Sequence, residues 1–312
     1  MKYTNVAGKK LSAMSLGTVQ LGMNYGIANK NGQPKEEQSF EMLKCALDSG
    51  ITSLDTARAY GNSEEVLGKF FKTHDVELPF ITTKVIDIEG ESEAEVEKSV
   101  ISIAETSLEM LGLKKVNCVM LHQAQSLFDK GAWVAKAMEK LVKMGYTDIV
   151  GASVYAANEL EKMFEYDVYT ATQVPMSIFD QRLIASGMTD KLHDRGITVF
   201  VRSVFLQGLF FLDPDAVDDP ILVEHAVPKI RLIRELAERE GMSVAELAIS
   251  FMRDVKGVTS LVLGADTAEQ VKANAAYFDA KSVSEETAHI IRKEFADVNI
   301  PEIMKVLSRP KD

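Results

Sequence analysis

Short apolar runs alternate along this chain with longer stretches whose apolar positions recur at helical spacing. The runs are Met14–Val19, Ile51–Asp55, Phe80–Val85, Val116–Leu121, Ile149–Ser153, Thr170–Val174, Ile197–Arg202 and Ser260–Gly264. Most are too continuously apolar to be half exposed, which is the pattern of parallel strands covered on their outer face by helices. Between them, Glu36–Ser49 sets Phe40, Leu43, Cys45, Ala46 and Leu47 close to helical spacing, and Gly50 follows as a helix stop. Asn62 precedes Glu65 at capping-box spacing and is expected to cap a helix running to Phe71. Glu93–Leu111 carries Val96, Val100, Ile103, Ala104 and Leu108 on one stripe. Gly131–Met144, Ala156–Phe164, Pro228–Glu240, Val244–Val255 and Ala268–Tyr277 continue the series.

Eight strand–helix units without a low-complexity linker predict a single α/β domain over residues 1–312, a (β/α)8 TIM barrel. A doubly wound sheet would want a G-x-G-x-x-G turn after an early strand. The first run is instead followed by Gly22-Met23-Asn24-Tyr25-Gly26. The segment Phe205–Pro220 is too long for a simple connection and carries Asp213, Asp215, Asp218 and Asp219. It follows the seventh strand at the C-terminal mouth of the barrel, where a lid and a solvated excursion are equally good readings.

Charge narrows the partners. Against 46 Asp and Glu stand 35 Lys and Arg, a formal net charge of −11. Nucleic acid and anionic membranes both need a basic footprint, so neither is expected as a partner. No apolar run is long enough for a transmembrane helix or a signal-peptide core. Cys45 and Cys118 are too few for a disulfide framework, and a cytoplasmic protein with both thiols packed as small hydrophobes is expected.

Candidate chemistry lies at the carboxyl ends of the apolar runs, where a charge is costly unless paired. Asp55 ends the second run, Lys84 nearly ends the third, His122 follows the fourth, and Tyr60 lies five residues past Asp55. Around a barrel these ends share one rim, so their side chains can converge. A phenol with a pKa of about 10 is a poor acid at neutral pH. A lysine ammonium beside it would stabilise the phenolate and lower that pKa, and an aspartate would keep the lysine charged. Each residue alone is more often a helix cap or a satisfied polar group; the combination is specific. It suits proton delivery from Tyr60 to a carbonyl oxygen oriented by His122, while hydride reaches the carbon.

The stretch Asp55-Thr-Ala-Arg-Ala-Tyr60-Gly-Asn-Ser-Glu-x-x-Leu-Gly resembles the signature of the aldo-keto reductase superfamily. Leu16-Gly17-Thr18, Ile81-Thr-Thr-Lys84 and Leu121-His122 follow in that family's order, and the resemblance covers essentially the whole chain. It implies a catalytic tetrad of Asp55, Tyr60, Lys84 and His122, with Tyr60 as general acid, and a nicotinamide cofactor bound in part by Gly17 and Thr18. Ser153 and Gln173 are then the groups that hold the nicotinamide carboxamide, although Val154 stands where the family has a further Asn. Arg202-Ser203-Val204-Phe205-Leu206-Gln207-Gly208 corresponds to the family's Y-S-P-L-x-x-G. Ser203, Phe205, Gln207 and Gly208 would embrace the pyrophosphate, with backbone amides as anion donors.

Arg202 occupies the place where most members have a tyrosine that stacks on the nicotinamide. A guanidinium can stack as well, and its charge would disfavour the cationic oxidised ring; pairing with an acid of Asp213–Asp219 is the alternative. Gly264, Ala265, Asp266, Gln270 and Asn274 resemble the adenosine-binding stretch. Members committed to NADP(H) usually have Lys at position 264 and Arg at 270, the natural partners of a 2′-phosphate, and Asp266 would repel one. The cofactor is expected to be NADP(H) or NAD(H), with the family leaning to NADP(H).

Candidate pocket residues for a small-molecule carbonyl substrate are Gln20, Met23 and Tyr25, then Phe128 and Trp133, then Met176 and Phe179; for Trp133, on a predicted helix, ordinary packing is the simpler role. The stretches at 17–26 and 202–208 resemble a bacterial subgroup associated with sugar or polysaccharide metabolism, which implies a sugar-like aldehyde or ketone. His74, His122, His193, His225 and His289 show no metal-ligand spacing, so no metal is expected. A Schiff base on Lys84 would leave Asp55, Tyr60 and His122 unexplained. A nucleotide-binding regulatory or sensor subunit that retains the tetrad but turns over little is the alternative from another class.

Overall fold

The computed structural model describes residues 1–26, 29 and 32–309. Strands β1 (Tyr3–Val6) and β2 (Lys9–Ser12) form an antiparallel hairpin. The next eight are β3 (Met14–Gly17), β4 (Ser53–Asp55), β5 (Phe80–Val85), β6 (Val116–Leu121), β7 (Thr147–Ser153), β8 (Tyr169–Pro175), β9 (Thr198–Arg202) and β10 (Ser260–Leu263). They close a parallel barrel in the order β10-β3-β4-β5-β6-β7-β8-β9, and each apolar run contributes one strand. The expected (β/α)8 barrel is therefore present. All residues of β4 and β5 are buried, as strands with helices outside and a filled lumen require.

The helical stripes fold as helices, with ends shifted by a residue or two. Glu93–Leu111 starts at a Ser92 cap and stops at Gly112 in the left-handed conformation, while Ser243 and Glu246 build a reciprocal capping box at Val244–Arg253. Asn62 departs from expectation. Its side chain makes no cap bond to the helix Ser63–Thr73; its Oδ1 instead accepts from Gln33 Nε2 at 2.8 Å, tying down the loop after β3.

The hairpin is a second departure, because most of its residues are exposed and its polar–apolar pattern is weak. Val6 and Leu11 nevertheless reach the barrel lumen and pack with Phe80, Cys118, Met120, Ala171 and Phe200, plugging the end away from the mouth. Above this plug, Ser15 is hydrogen-bonded to Ser53 at 2.7 Å and to Ser260 at 2.8 Å, so three adjacent strands satisfy their inward hydroxyls on one another. Two helices at the C-terminus, Glu285–Glu294 and Ile300–Leu307, and the broken pair Arg182–Ala185 and Met188–Asp194 complete the outer layer.

Phe205–Pro220 divides into two parts. Leu206, Leu209 and Phe210 are buried beneath a 3₁₀ turn at Leu206–Phe211, whereas Asp213, Asp215 and Asp218 face solvent. Among the described residues no helix is long and apolar enough to cross a membrane.

Candidate active site

Register brings the strand ends together. Gly17 lies opposite Asp55 and Ser153 opposite Gln173, so the carboxyl ends of β3 and β4 and those of β7 and β8 lie side by side, while Asp55 lies opposite Thr82, two residues before Lys84 on β5. Lys84 is fully buried. Its ammonium donates to Asp55 Oδ1 at 2.7 Å and Oδ2 at 2.9 Å, to the Thr56 carbonyl at 3.0 Å, and to the Tyr60 hydroxyl at 3.3 Å. The His122 ring meets Tyr60 edge-on, with centroids 5.7 Å apart and planes at 84°.

Tyr60 is placed by the loops after β3 and β4, which are stitched together. Thr18 donates both its amide and its hydroxyl to the Asp55 carbonyl at 2.9 Å, and Ser63 Oγ donates to the Thr18 carbonyl at 2.9 Å. Backbones approach so closely here that a Cβ on Gly22 would lie 1.8 Å from the Tyr60 carbonyl oxygen. Gly61, at φ +55°, stands against Gly22 in the same way. Beneath them, buried Glu64 pairs with Arg58 and accepts from Thr83 Oγ1 at 2.6 Å. Sequence reasoning gave no role to Gly22, Gly61 or Glu64, although Gly61 and Glu64 stand within the signature that begins at Asp55; Gly22 lies in the loop after β3.

Electrostatics refine the expected proton donor. Burial pulls the Lys84 ammonium down, but the Asp55 carboxylate and the hydrogen bonds to Asp55 and Tyr60 more than offset it and hold it above the ordinary lysine range. Burial also pushes the Tyr60 hydroxyl upward, and Lys84 pulls it down without reversing the shift. The lowered phenol pKa expected from the sequence is thus not the resting state: Tyr60 holds its proton firmly. His122 is pushed down to about 4 by burial, reinforced by the positive charges of Lys84 and Arg202, so its imidazole is neutral.

These groups open into a cavity of about 530 Å³. Gly17, Thr18, Ser153, Gln173, Arg202, Ser203, Phe205, Gln207, Gly208, Gly264, Ala265, Asp266, Gln270 and Asn274 line it, together with Asp55, Tyr60 and His122. Gln20 and Tyr25 also line it, but Gln20 stands against Gly264, whose added Cβ would meet its Nε2 at 2.4 Å. The other pocket candidates are elsewhere: Met176 and Phe179 are buried in the core, Trp133 packs against it, and Met23 and Phe128 are 40% and 44% exposed. Tyr155, which the sequence reading missed, is in the wall.

The cavity suits a large polar ligand. Gln20 Oε1, His122 Nδ1 and Arg202 Nη2 are buried with no hydrogen-bond partner among the described residues, an arrangement that a ligand would relieve. Ser203 (φ 63°), Leu206 (φ 46°), Gln207 (φ 57°) and Gly208 (φ 94°) hold left-handed backbone in one short loop. Backbone of this kind turns amides inward to form an anion-binding concavity. Gln173 is already engaged. Its Nε2 donates to Asp55 Oδ2 at 2.7 Å, which leaves its carbonyl oxygen for a ligand amide.

Comparison with known proteins places this geometry in a class. The sequence model of the Aldo/keto reductase family matches residues 13–294. L-glyceraldehyde 3-phosphate reductase of Escherichia coli O157:H7 is 26% identical, with 95% of this chain and 92% of that one covered. Aldo-keto reductase YhdN of Bacillus subtilis is 24% identical over 88% and 87% of the two chains. Among solved structures, the holo form of the aldo-keto reductase AKR11C1 from Bacillus halodurans superposes with a TM-score of 0.75 at 22% identity, covering 94% of this chain and 96% of that one. The chain belongs to the aldo/keto reductase family. It is an NAD(P)H-dependent oxidoreductase of small-molecule carbonyl compounds.

Proposed function

We propose that this protein reduces a small, sugar-like aldehyde or ketone to the alcohol with Tyr60 as proton donor. The observation that carries this reading is the hydrogen-bonded series Asp55–Lys84–Tyr60, which ends in the cavity beside His122. A reduced nicotinamide, when bound, would supply the hydride. Ser153 and the free Gln173 oxygen would hold its carboxamide, the amides of the Ser203–Gly208 loop its pyrophosphate, and Gly264, Ala265 and Asn274 its adenosine.

Tyr60 and neutral His122 both donate toward the carbonyl oxygen. As charge grows on that oxygen the phenol proton crosses to it, and the Lys84 ammonium stabilises the phenolate left behind. Asp55, held by Lys84 and Gln173 together, keeps the ammonium in place. Hydroxyl and amide groups at the mouth, on Gln20, Tyr25 and Tyr155, suit a polyhydroxylated substrate. The name of the E. coli relative, a reductase of a phosphorylated three-carbon sugar, supports the same class.

For the nucleotide, NAD(H) fits this cavity better than the NADP(H) to which the family leans. The support is chemical: among the described lining residues Arg202 is the sole cation, and it lies at the tetrad end. At the other end Asp266 is acidic, and Gln270 is spent on the loop, its Oε1 accepting the Asp266 amide at 2.7 Å. A 2′-phosphate would meet no lysine or arginine there. Parallel fluorescence titrations should give an NADH Kd at least about tenfold below that of NADPH, the worth of one charge-assisted contact. An NADPH preference would overturn this choice. Binding of neither nucleotide would overturn the cofactor site, and tight binding without turnover of any aldehyde would favour the sensor alternative.

Neutral His122 gives a pH signature. Its pKa of about 4 lies below the unfolded value of about 6.5, so between these limits the unfolded chain binds more protons and stability falls as pH falls. Wild type should therefore lose more thermal stability between pH 6.5 and pH 4 than His122→Gln. Equal losses would show that the imidazole is not held neutral.

A further inference from the structure

We propose that Arg202 binds an anionic substituent, a carboxylate or phosphoryl group, on the carbonyl substrate. The proposal rests on the reductase reading and names the substrate class. Arg202 ends β9 and lines the cavity, and its Nη2 is buried without a hydrogen-bond partner among the described residues. Among the described residues none of the acids expected to neutralise it is paired with it, and Asp218 faces solvent. Asp215 pairs with Arg231 at 2.6 Å, Asp219 pairs with Arg309, and Asp213 accepts the Asp215 amide at 3.1 Å.

Tyr155 fixes the guanidinium. Its ring centroid lies 4.3 Å from Arg202 Cζ, so one face of the cation is covered while the N–H edge stays available. Arg202 also lines the same cavity as Tyr60 and His122, where its charge opposes the upward shift of the Tyr60 hydroxyl and contributes to the neutrality of His122. Stacking on a nicotinamide needs a planar group and no charge. The positive charge therefore lacks a counterpart until a ligand brings one.

An uncompensated cation at the edge of a cavity is costly, and a bidentate carboxylate or phosphoryl partner would convert that cost into specific affinity. The setting strengthens the inference. A protein of net charge −11 repels anions at long range, so an anionic substrate needs a local cation at the site that receives it. In the nucleotide placement proposed above the pyrophosphate is not that anion, since it would lie against the left-handed backbone of the Ser203–Gly208 loop.

The test compares two pairs of aldehydes at saturating reduced nucleotide: succinic semialdehyde against butanal, and glyceraldehyde 3-phosphate against glyceraldehyde. Within each pair the aldehyde end is shared and the anion is the difference. Wild type should favour at least one charged member by about tenfold or more in kcat/KM, and added salt should erode the preference. Arg202→Gln should bring the ratio close to one, while Arg202→Lys keeps part of it. Because the ratio is taken within one variant, changes in nucleotide affinity cancel. The pair with the larger ratio identifies carboxylate or phosphoryl as the anion. Equal kcat/KM for charged and neutral members in wild type overturns the inference, as does a ratio that survives Arg202→Gln; either leaves the reductase reading intact. Absence of turnover for all four aldehydes with nucleotide bound overturns both.

Discussion

Replacing Tyr60 with Phe should lower kcat for aldehyde reduction by roughly 10²–10⁴-fold, the usual contribution of a positioned general acid. The change is confined to one oxygen. The ring that packs edge-on against His122 remains, as do the glycine contacts that set the loop, and Lys84 loses one of its hydrogen-bond acceptors while keeping Asp55 and the Thr56 carbonyl. Nucleotide affinity should therefore stay within about twofold, because no proposed nucleotide contact involves that hydroxyl. Stopped-flow single turnovers with both proteins would separate chemistry from binding. A fall in kcat of less than about tenfold, or a parallel loss of nucleotide affinity, would remove Tyr60 from the role of acid.

Lys84→Met should be costly in a different currency. The substitution leaves the Asp55 carboxylate buried with only the Gln173 amide and its own surroundings to satisfy it. Removing one partner of a buried ion pair typically destabilises by about 3–5 kcal/mol, whereas replacing both charges can be nearly neutral. The double variant Asp55→Asn/Lys84→Met should accordingly recover most of the stability measured by urea denaturation. It should recover none of the activity, since the ammonium that donates to the Tyr60 hydroxyl is gone. If the single variant costs less than about 1 kcal/mol, the carboxylate has either taken a proton or found solvent, and the ion pair does not organise the rim.

Both experiments probe groups that were recognisable before any coordinates. Asp55, Lys84 and His122 stand out because polar residues at the ends of apolar strands demand an explanation, Tyr60 follows Asp55 by five residues, and parallel strands in a closed barrel present their carboxyl ends on one rim. The bond from Gln173 to Asp55 could not be seen in this way. It joins residues 118 positions apart across the mouth, and a glutamine within a strand carries no mark of its partner. Met23, Phe128 and Met176 failed as wall residues for a related reason: position in a loop tells which rim a residue approaches, not whether its side chain turns inward, outward or into the core.

The pattern of the chain by itself determined the barrel, most helix and strand limits, the net negative charge and the polar groups at the strand ends, because burial periodicity and strand-end polarity are local properties that survive in one dimension. The N-terminal plug escaped because its strands are four residues long and half exposed, so only Val6 and Leu11 betray it. Tertiary structure alone decided the balance of forces at the site. Whether Lys84 or burial governs Tyr60, whether His122 is charged, and whether Arg202 has a carboxylate beside it depend on distances and dielectric surroundings set by many distant segments at once. Charge and burial act through space, and the order of residues along a chain records only part of that space.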